Sequence, residues 1–143
     1  MVPFLKWPGG KRWFVTRHAA LLPATHGRYI EPFLGSGAVY FHLNPERALL
    51  GDTNRELIDT YKTVKRDPDG VPWHLRRHQR DHCRDHYYHT RGAVMRTAAT
   101  RAARFIYLNR TCFNGQLPER VRAAVPAGRQ GASPGGRGPH RPR

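Results

Sequence analysis

Two glycines and two carboxylates between residues 31 and 52 have the spacing best suited to chemistry. Gly35 and Gly37 close the run Glu31-Pro-Phe-Leu-Gly-Ser-Gly37, and Asp52 follows fifteen residues after the second glycine. A Gly-x-Gly turn tolerates positive φ and lets a backbone approach a ligand with no Cβ in the way. Between a strand and a helix, such a turn lies at the carboxyl edge of an α/β sheet, where small ligands bind. It departs from the dinucleotide fingerprint because Tyr40 holds the third glycine position. It is not a phosphate loop either, since no Gly-Lys-Ser/Thr follows. An ordinary tight turn would show the same two glycines. Asp52 ends Ala48-Leu-Leu-Gly-Asp52. A carboxylate only accepts hydrogen bonds and so suits a pair of hydroxyl donors such as a ribose diol; capping the next helix is the simpler role for Asp52 or Asn54. Upstream, Lys6 and Lys11 flank Trp7 in Leu5-Lys-Trp-Pro-Gly-Gly-Lys11. Cations around an indole can hold an anionic or planar ligand, and an indole packed as a core plug accounts for Trp7 equally well.

The elements that must position these groups are readable from pattern. Tyr29 and Ile30 suit a short buried strand, which Pro32 stops for lack of an N–H. Ala38 to Leu43 continues with helical character, and Ala48 to Asp52 reads as a second strand. After Thr53-Asn54, the positions of Leu57, Ile58, Tyr61 and Val64 predict a helix with one buried face, ended by Asp67-Pro-Asp-Gly70. Trp13, Phe14, Ala19, Ala20, Leu21 and Leu22 suggest an amphipathic helix from Arg12 that stops at Pro23. Residues 71–104 read as helical and basic. His74, His78, His82 and His86 recur every four residues and would share one face of a single helix. That spacing can pair on a metal, but no carboxylate of suitable spacing accompanies it, so a solvated or DNA-facing stripe, and no metal, is expected. Ala102, Phe105, Ile106 and Leu108 suit the apolar side of a further helix, followed by Asn109-Arg110 and the turn Phe113-Asn114-Gly115. Asn and Arg offer bidentate groups to base edges, and an aromatic can wedge between bases; the same types also occur at ordinary helix–loop junctions.

Composition narrows the partner. Twenty-five Lys and Arg against ten Asp and Glu give a formal charge of +15 over 143 residues, which favours a polyanion, nucleic acid first. The surplus is uneven: residues 1–70 carry ten basic and seven acidic side chains, the remainder fifteen and three. No apolar run approaches eighteen residues and no basic amphipathic helix has a wide apolar face, so no membrane partner is expected. With two cysteines and no signal-peptide layout at the N-terminus, a reduced cytoplasmic protein is expected. Residues 116–143 hold six Arg, five Gly and five Pro with no aromatic. Such a segment cannot bury a core and is expected to be disordered. The chain thus divides into a near-neutral unit over 1–70, a basic helical unit over 71–115 and a basic tail.

Four blocks taken together, Leu5–Lys11, Tyr29–Ala38, Gly51–Asn54 with Leu57-Ile58, and Tyr107–Gly115, resemble the Dam-type DNA adenine-N6 methyltransferases in order and separation. The resemblance covers about residues 3–115. It implies an α/β fold: part of a Rossmann-like methyltransferase domain with the start of a helical target-recognition domain. It implies S-adenosyl-L-methionine as cofactor, with Trp7, Lys11, Glu31, Phe33, Gly35, Gly37 and Asp52 on the cofactor side. Lys6, Asn109, Arg110, Phe113 and Asn114 correspond to positions that approach double-stranded DNA, and a monomer is expected. The implied activity, DNA methylation as in restriction–modification systems, transfers a methyl group to adenine N6 of a flipped base. The family's Asp-Pro-Pro-Tyr box does not occur in these 143 residues. A truncated or frame-shifted product of little activity is therefore expected, with no catalytic residue of its own. A basic module that binds nucleic acid through charge alone is the alternative, and a methyltransferase for RNA or a small molecule a third reading.

Overall fold

The strand–turn–helix around Gly35 forms where the pattern predicts it, but the strand is not the buried one expected: Ile30 is 58% exposed and Leu49, opposite it, 52%, because nothing packs on that face of the two-stranded sheet among the described residues. A computed structural model describes residues 2–23 and 27–112. In it β1 (Tyr29–Glu31) leads through the glycine turn into α2 (Ala38–Leu43), which crosses over to β2 (Ala48–Leu50). The two strands pair in parallel, Tyr29 opposite Ala48, Ile30 opposite Leu49 and Glu31 opposite Leu50. Parallel neighbours need such a crossover, and the carboxyl ends of both strands consequently open on the same side. The architecture is a mixed helix–strand one with a small two-stranded sheet, compatible with part of a methyltransferase domain.

The helical part is built on two caps. The Asn54 side chain accepts from the Leu57 N–H at 3.0 Å and starts α3 (Arg55–Arg66). Thr97 and Thr100 form a reciprocal capping box at the start of α6 (Ala98–Thr111). Each cap satisfies helix N–H groups that have no partner within the helix. Between them lie α4 (Gly70–Arg80) and α5 (Arg84–Gly92). The core joins Leu57 of α3, Val71 of α4, and Ala102, Ala103 and Ile106 of α6 around Leu5, which is fully buried. The small alanines let α6 lie close to its neighbours, and the N-terminal loop is thereby drawn into the helical core.

Two further expectations are corrected. The segment after Arg12 is helical as α1 (Arg12–His18), with a short 3₁₀ turn to Leu21, but it buries none of its residues, and Trp13 is 59% exposed. Its aromatics stack on one another, Trp13 against Phe14 and His18 at about 5.9 Å between centroids. The amphipathic pattern thus found partners within its own helix. The basic stretch is also not one continuous helix. Cys83 is extended (φ −150°, ψ 177°) and its Sγ accepts from the His86 N–H, ending one helix and starting the next. His74 and His78 therefore stand on α4, His82 in the connection and His86 on α5, so the four do not share one helix face. Three of them meet all the same around a buried tyrosine. His78 stacks on the Tyr107 ring at 4.7 Å, its Nδ1 lies 3.0 Å from His86 Nε2, and His82 Nδ1 lies 2.8 Å from the Tyr107 hydroxyl. Among the described residues no group of three or more His, Cys, Asp or Glu has an arrangement that could hold a metal ion. No helix among them is long and apolar enough to cross a membrane. Phe113, Asn114 and the 116–143 tail lie outside the described residues.

Candidate functional site

The candidate site is the carboxyl end of the β1–β2 pair, where four separate stretches of chain are tied together. Leaving β1, the chain makes two more ladder-like bonds: the Gly51 N–H donates to the Glu31 carbonyl and the Leu34 N–H to the Gly51 carbonyl, both at 2.8 Å. Gly35 (φ +51°) and Gly37 (φ +67°) then turn the chain into α2. At Gly35 the conformation and the surroundings both demand glycine. A Cβ there would sit 2.8 Å from Cδ1 of Trp7, whose indole edge lies against the turn.

Asp52 joins the glycine turn to the end of β2. Its Oδ2 accepts from the Gly35 N–H and its Oδ1 from the Asn54 N–H, each at 2.9 Å. The same carboxylate thus fixes the turn and orders the residue that caps α3. The capping reading and the binding reading of this stretch are compatible: Asn54 is the cap, and Asp52 positions it. Each carboxylate oxygen has a second lone-pair direction, so the group is not saturated.

Lys11 and Glu31 form the polar floor. Glu31 is only 5% exposed, and its Oε1 meets Lys11 Nζ at 2.6 Å while its Oε2 accepts from the Tyr29 hydroxyl at 2.7 Å. Lys11 also donates to the Phe33 carbonyl at 2.6 Å. A buried carboxylate is costly unless paired, and here both oxygens are engaged. Burial, and after it the Glu31 carboxylate that takes its proton in a hydrogen bond, hold the Tyr29 phenol far above its ordinary range. Burial raises Tyr61 likewise, with the charges of Glu31 and Asp52 adding to it. The Phe33 ring is exposed at the rim.

The N-terminal block is held in place by a residue 103 positions away. Asn109 clasps the backbone of Lys6 from both sides: its Oδ1 accepts from the Lys6 N–H at 2.8 Å and its Nδ2 donates to the Lys6 carbonyl at 2.7 Å. Lys6 and Arg110, the residue after Asn109, are both exposed. Trp7, next along, packs between the glycine turn and Phe105 of α6, 6.5 Å between ring centroids. The structure therefore brings Lys6, Trp7, Lys11, Glu31, Phe33, Gly35, Gly37, Asp52, Asn109 and Arg110 into one continuous region. Its amide contacts assign Asn109 a positioning task in addition to any base contact.

Some participants escape a reading of the sequence. Arg12 Nη2 donates to the Leu5 carbonyl at 2.9 Å and to the Pro3 carbonyl at 2.5 Å, fixing the loop that carries Trp7. Tyr61 donates to the Gly35 carbonyl at 3.4 Å. Ser36 is 2% exposed within the turn. A helix-facing Tyr and a loop-flanking Arg carry no signal of these contacts; only Ser36, between two glycines, could have been singled out.

Comparison with known proteins places most of the chain within one family. The sequence model of the family described as D12 class N6 adenine-specific DNA methyltransferase matches residues 7–129, past residue 115 where the recognisable motifs end. The chain is 36% identical over 135 residues to a type II methyltransferase of Lactococcus lactis subsp. cremoris, covering 89% of this chain and 48% of that protein. It is 32% identical over 150 residues to a type II methyltransferase of Methanocaldococcus jannaschii, covering 89% and 52%. To the DNA adenine methylase of Haemophilus influenzae it is 36% identical over 126 residues, covering 79% and 41%. The chain spans about half the length of these relatives. With the match running through most of its length, and with the glycine turn, the aspartate and the Lys6–Asn109 clasp assembled as one site, the chain belongs to the D12 class N6 adenine-specific DNA methyltransferase family.

Proposed function

We propose that this chain forms the cofactor-binding part of a Rossmann-like, S-adenosylmethionine-dependent methyltransferase, with the start of its target-recognition part, acting on adenine N6 in double-stranded DNA. The observation that carries the proposal is Asp52. It bridges the glycine turn and the end of β2 at the carboxyl edge of a parallel pair, with one acceptor direction still available on each oxygen. Those two directions suit the adjacent hydroxyls of a ribose. The open backbone at Gly35 and Gly37 suits close approach by the ligand's amino-acid end. Lys11 and Glu31 supply one cation and one anion beside it, matching a zwitterion. The donor set thus fits the cofactor, which when bound supplies an electrophilic methyl group.

The chain's own residues bind and orient. Trp7 closes the turn from one side and keeps water from it, while Arg12 and Asn109 hold Trp7's loop in register. Lys6 and Arg110 put positive charge at the same end, where a phosphate backbone would meet them; Phe113 and Asn114 are proposed to reach bases. These residues include no Asp-Pro-Pro-Tyr run, so the proposal assigns them binding rather than methyl transfer.

Calorimetric titration of the full chain with S-adenosylmethionine tests the reading. Binding is expected, weakened roughly tenfold or more by Asp52→Asn, which leaves one acceptor but removes the charge, since hydrogen bonds to a charged group are worth about 1.5–3 kcal/mol. A folded wild-type chain that gives no heat with the cofactor sinks the proposal.

A further inference from the structure

We propose that the outer face of α4, together with the start of α5, grips the phosphate backbone of DNA through residues other than those of the glycine-turn site. The inference rests on the DNA-methyltransferase reading and adds to it a surface that the family motifs do not reach. Trp73, Arg76, Arg77 and Arg80 recur at helical spacing and line a shallow recess of about 430 Å³ on α4. The Arg77 guanidinium lies 5.2 Å from the centroid of the Trp73 ring. On α5 the arrangement repeats, with Arg84 5.8 Å over Tyr88. Both rings are half exposed, Trp73 at 49% and Tyr88 at 50%.

The placement of charge argues for a ligand rather than for fold stability. Some arginines of the basic half are spent on the protein itself. Arg104 donates to the Thr90 and Arg91 carbonyls and pairs with Glu56, and Arg101 donates to the Arg96 carbonyl. Arg80 is held by Asp81. The side chains of Arg76, Arg77 and Arg84, like those of Arg91, Arg96 and Arg110, make no hydrogen bond or ion pair among the described residues; what sets Arg77 and Arg84 apart is that each lies over an exposed ring. An aromatic plate restrains a guanidinium without consuming its five donors. The donors thus stay directed outward at little further entropic cost on binding. Like charges gathered in this way repel one another and gain only when a polyanion neutralises them. The contacts expected are with phosphate oxygens and independent of sequence.

The test is the salt dependence of duplex binding by the full chain, using a fluorescent duplex of about 20 base pairs between 50 and 200 mM salt. Each arginine that neutralises one phosphate contributes about 0.9 to the slope of log K against log salt. Arg76→Ala with Arg77→Ala is expected to lower that slope by about 1.8, and Arg84→Ala by a further 0.9 or so. The pair Lys62→Ala and Lys65→Ala, with the same loss of charge on exposed parts of α3, is expected to leave the slope within about 0.5 of wild type. Circular dichroism melts show whether each variant folds. Wild-type binding with an unchanged slope in the α4 variant overturns the inference and leaves the methyltransferase reading standing. So does an equal loss in the α3 control, which would mean diffuse charge. A wild-type chain that binds cofactor but no duplex at all removes this surface as a DNA site without touching the cofactor reading.

Discussion

The glycine-turn region and the α4–α5 face carry polar side chains in opposite ways. Around the turn, nearly every polar group is committed to the fold. Lys11, Glu31, Asp52 and Asn109 all bond to groups at least 17 residues along the chain, one of them across 103 residues, and Arg12 ties down the loop just before it. On α4 and α5 the charged groups bond to neighbours in sequence or to none, as Arg80 with Asp81 and Arg77 with Trp73 show. The first region is over-determined and rigid by construction; the second is an ordinary helix surface with charge arranged on it. A site that must hold a small molecule in one pose needs the first kind. A surface that meets a repeating backbone works with the second, because register along the polymer is tolerant.

The sharpest way to break the contrast is through the core that supports the turn. Leu57→Ala, at a fully buried position against Leu5, is expected to lower stability by about 2–5 kcal/mol, read by urea unfolding; a loss below 1 kcal/mol would mean that the N-terminal loop is not anchored there. Gly35→Ala comes next. A non-glycine residue in this conformation costs about 1–2 kcal/mol, and its Cβ would also strike Trp7. Gly9→Ala is the control, with φ +67° and nothing within 4 Å of the added atom. The difference between the two substitutions measures the Trp7 contact, and equal losses would show that the indole moves aside freely. Asn109→Ala removes both clasping bonds and is expected to cost about 1–3 kcal/mol. Asn109→Asp keeps the acceptor for the Lys6 N–H but turns a carboxylate oxygen toward the Lys6 carbonyl, so it is expected to destabilise as well.

A pH titration separates the regions in another way. Burial, and then mutual repulsion with His86, His74 and Arg77, holds His78 below the ordinary histidine value, with Asp81 opposing. Burial does the same to His86, where Asp81 again opposes while His82 and His89 add to the lowering. Both therefore bind protons more readily in the unfolded chain. Stability is expected to be at its plateau above about pH 6.5 and to fall as pH drops through that value toward the lower native ones. His78→Gln with His86→Gln should flatten the fall; an unchanged acid limb would show that other groups carry it. The smallest effect expected is that of Arg76→Ala on stability, within about 0.5 kcal/mol, since that side chain makes no hydrogen bond or ion pair among the described residues.

Much of this was legible in the sequence, for local reasons. Strand, glycine turn, helix and second strand are each encoded by neighbours: Pro32 ends β1, Gly37 opens α2 and Asn54 caps α3. The blocks that resemble the family hold most of the residues that stand together around the turn. What could not be read is how they are joined. A side chain that bonds to backbone across a hundred residues, as Asn109 does, leaves no periodicity behind. The α4–α5 break was hidden because no Gly or Pro marks it; an extended Cys83, with its sulfur as acceptor, ends the helix instead. The exposed aromatics of α1 mimicked a buried face because self-stacking and burial favour the same residue types.

The Lys6–Asn109 clasp sets an order of events during synthesis. At about 5–20 residues per second, Asn109 is made roughly 5–20 seconds after Lys6. For the later part of that interval, once Asn54 has been made, the glycine turn, Asp52 and the α3 cap are all available, yet the loop carrying Trp7 has neither Asn109 nor Phe105 to lie against. The candidate cofactor site is thus among the first stretches to be translated and the last to be closed. A nascent chain released before α6 has emerged would contain every residue of the turn and still lack the contacts that fasten its entrance.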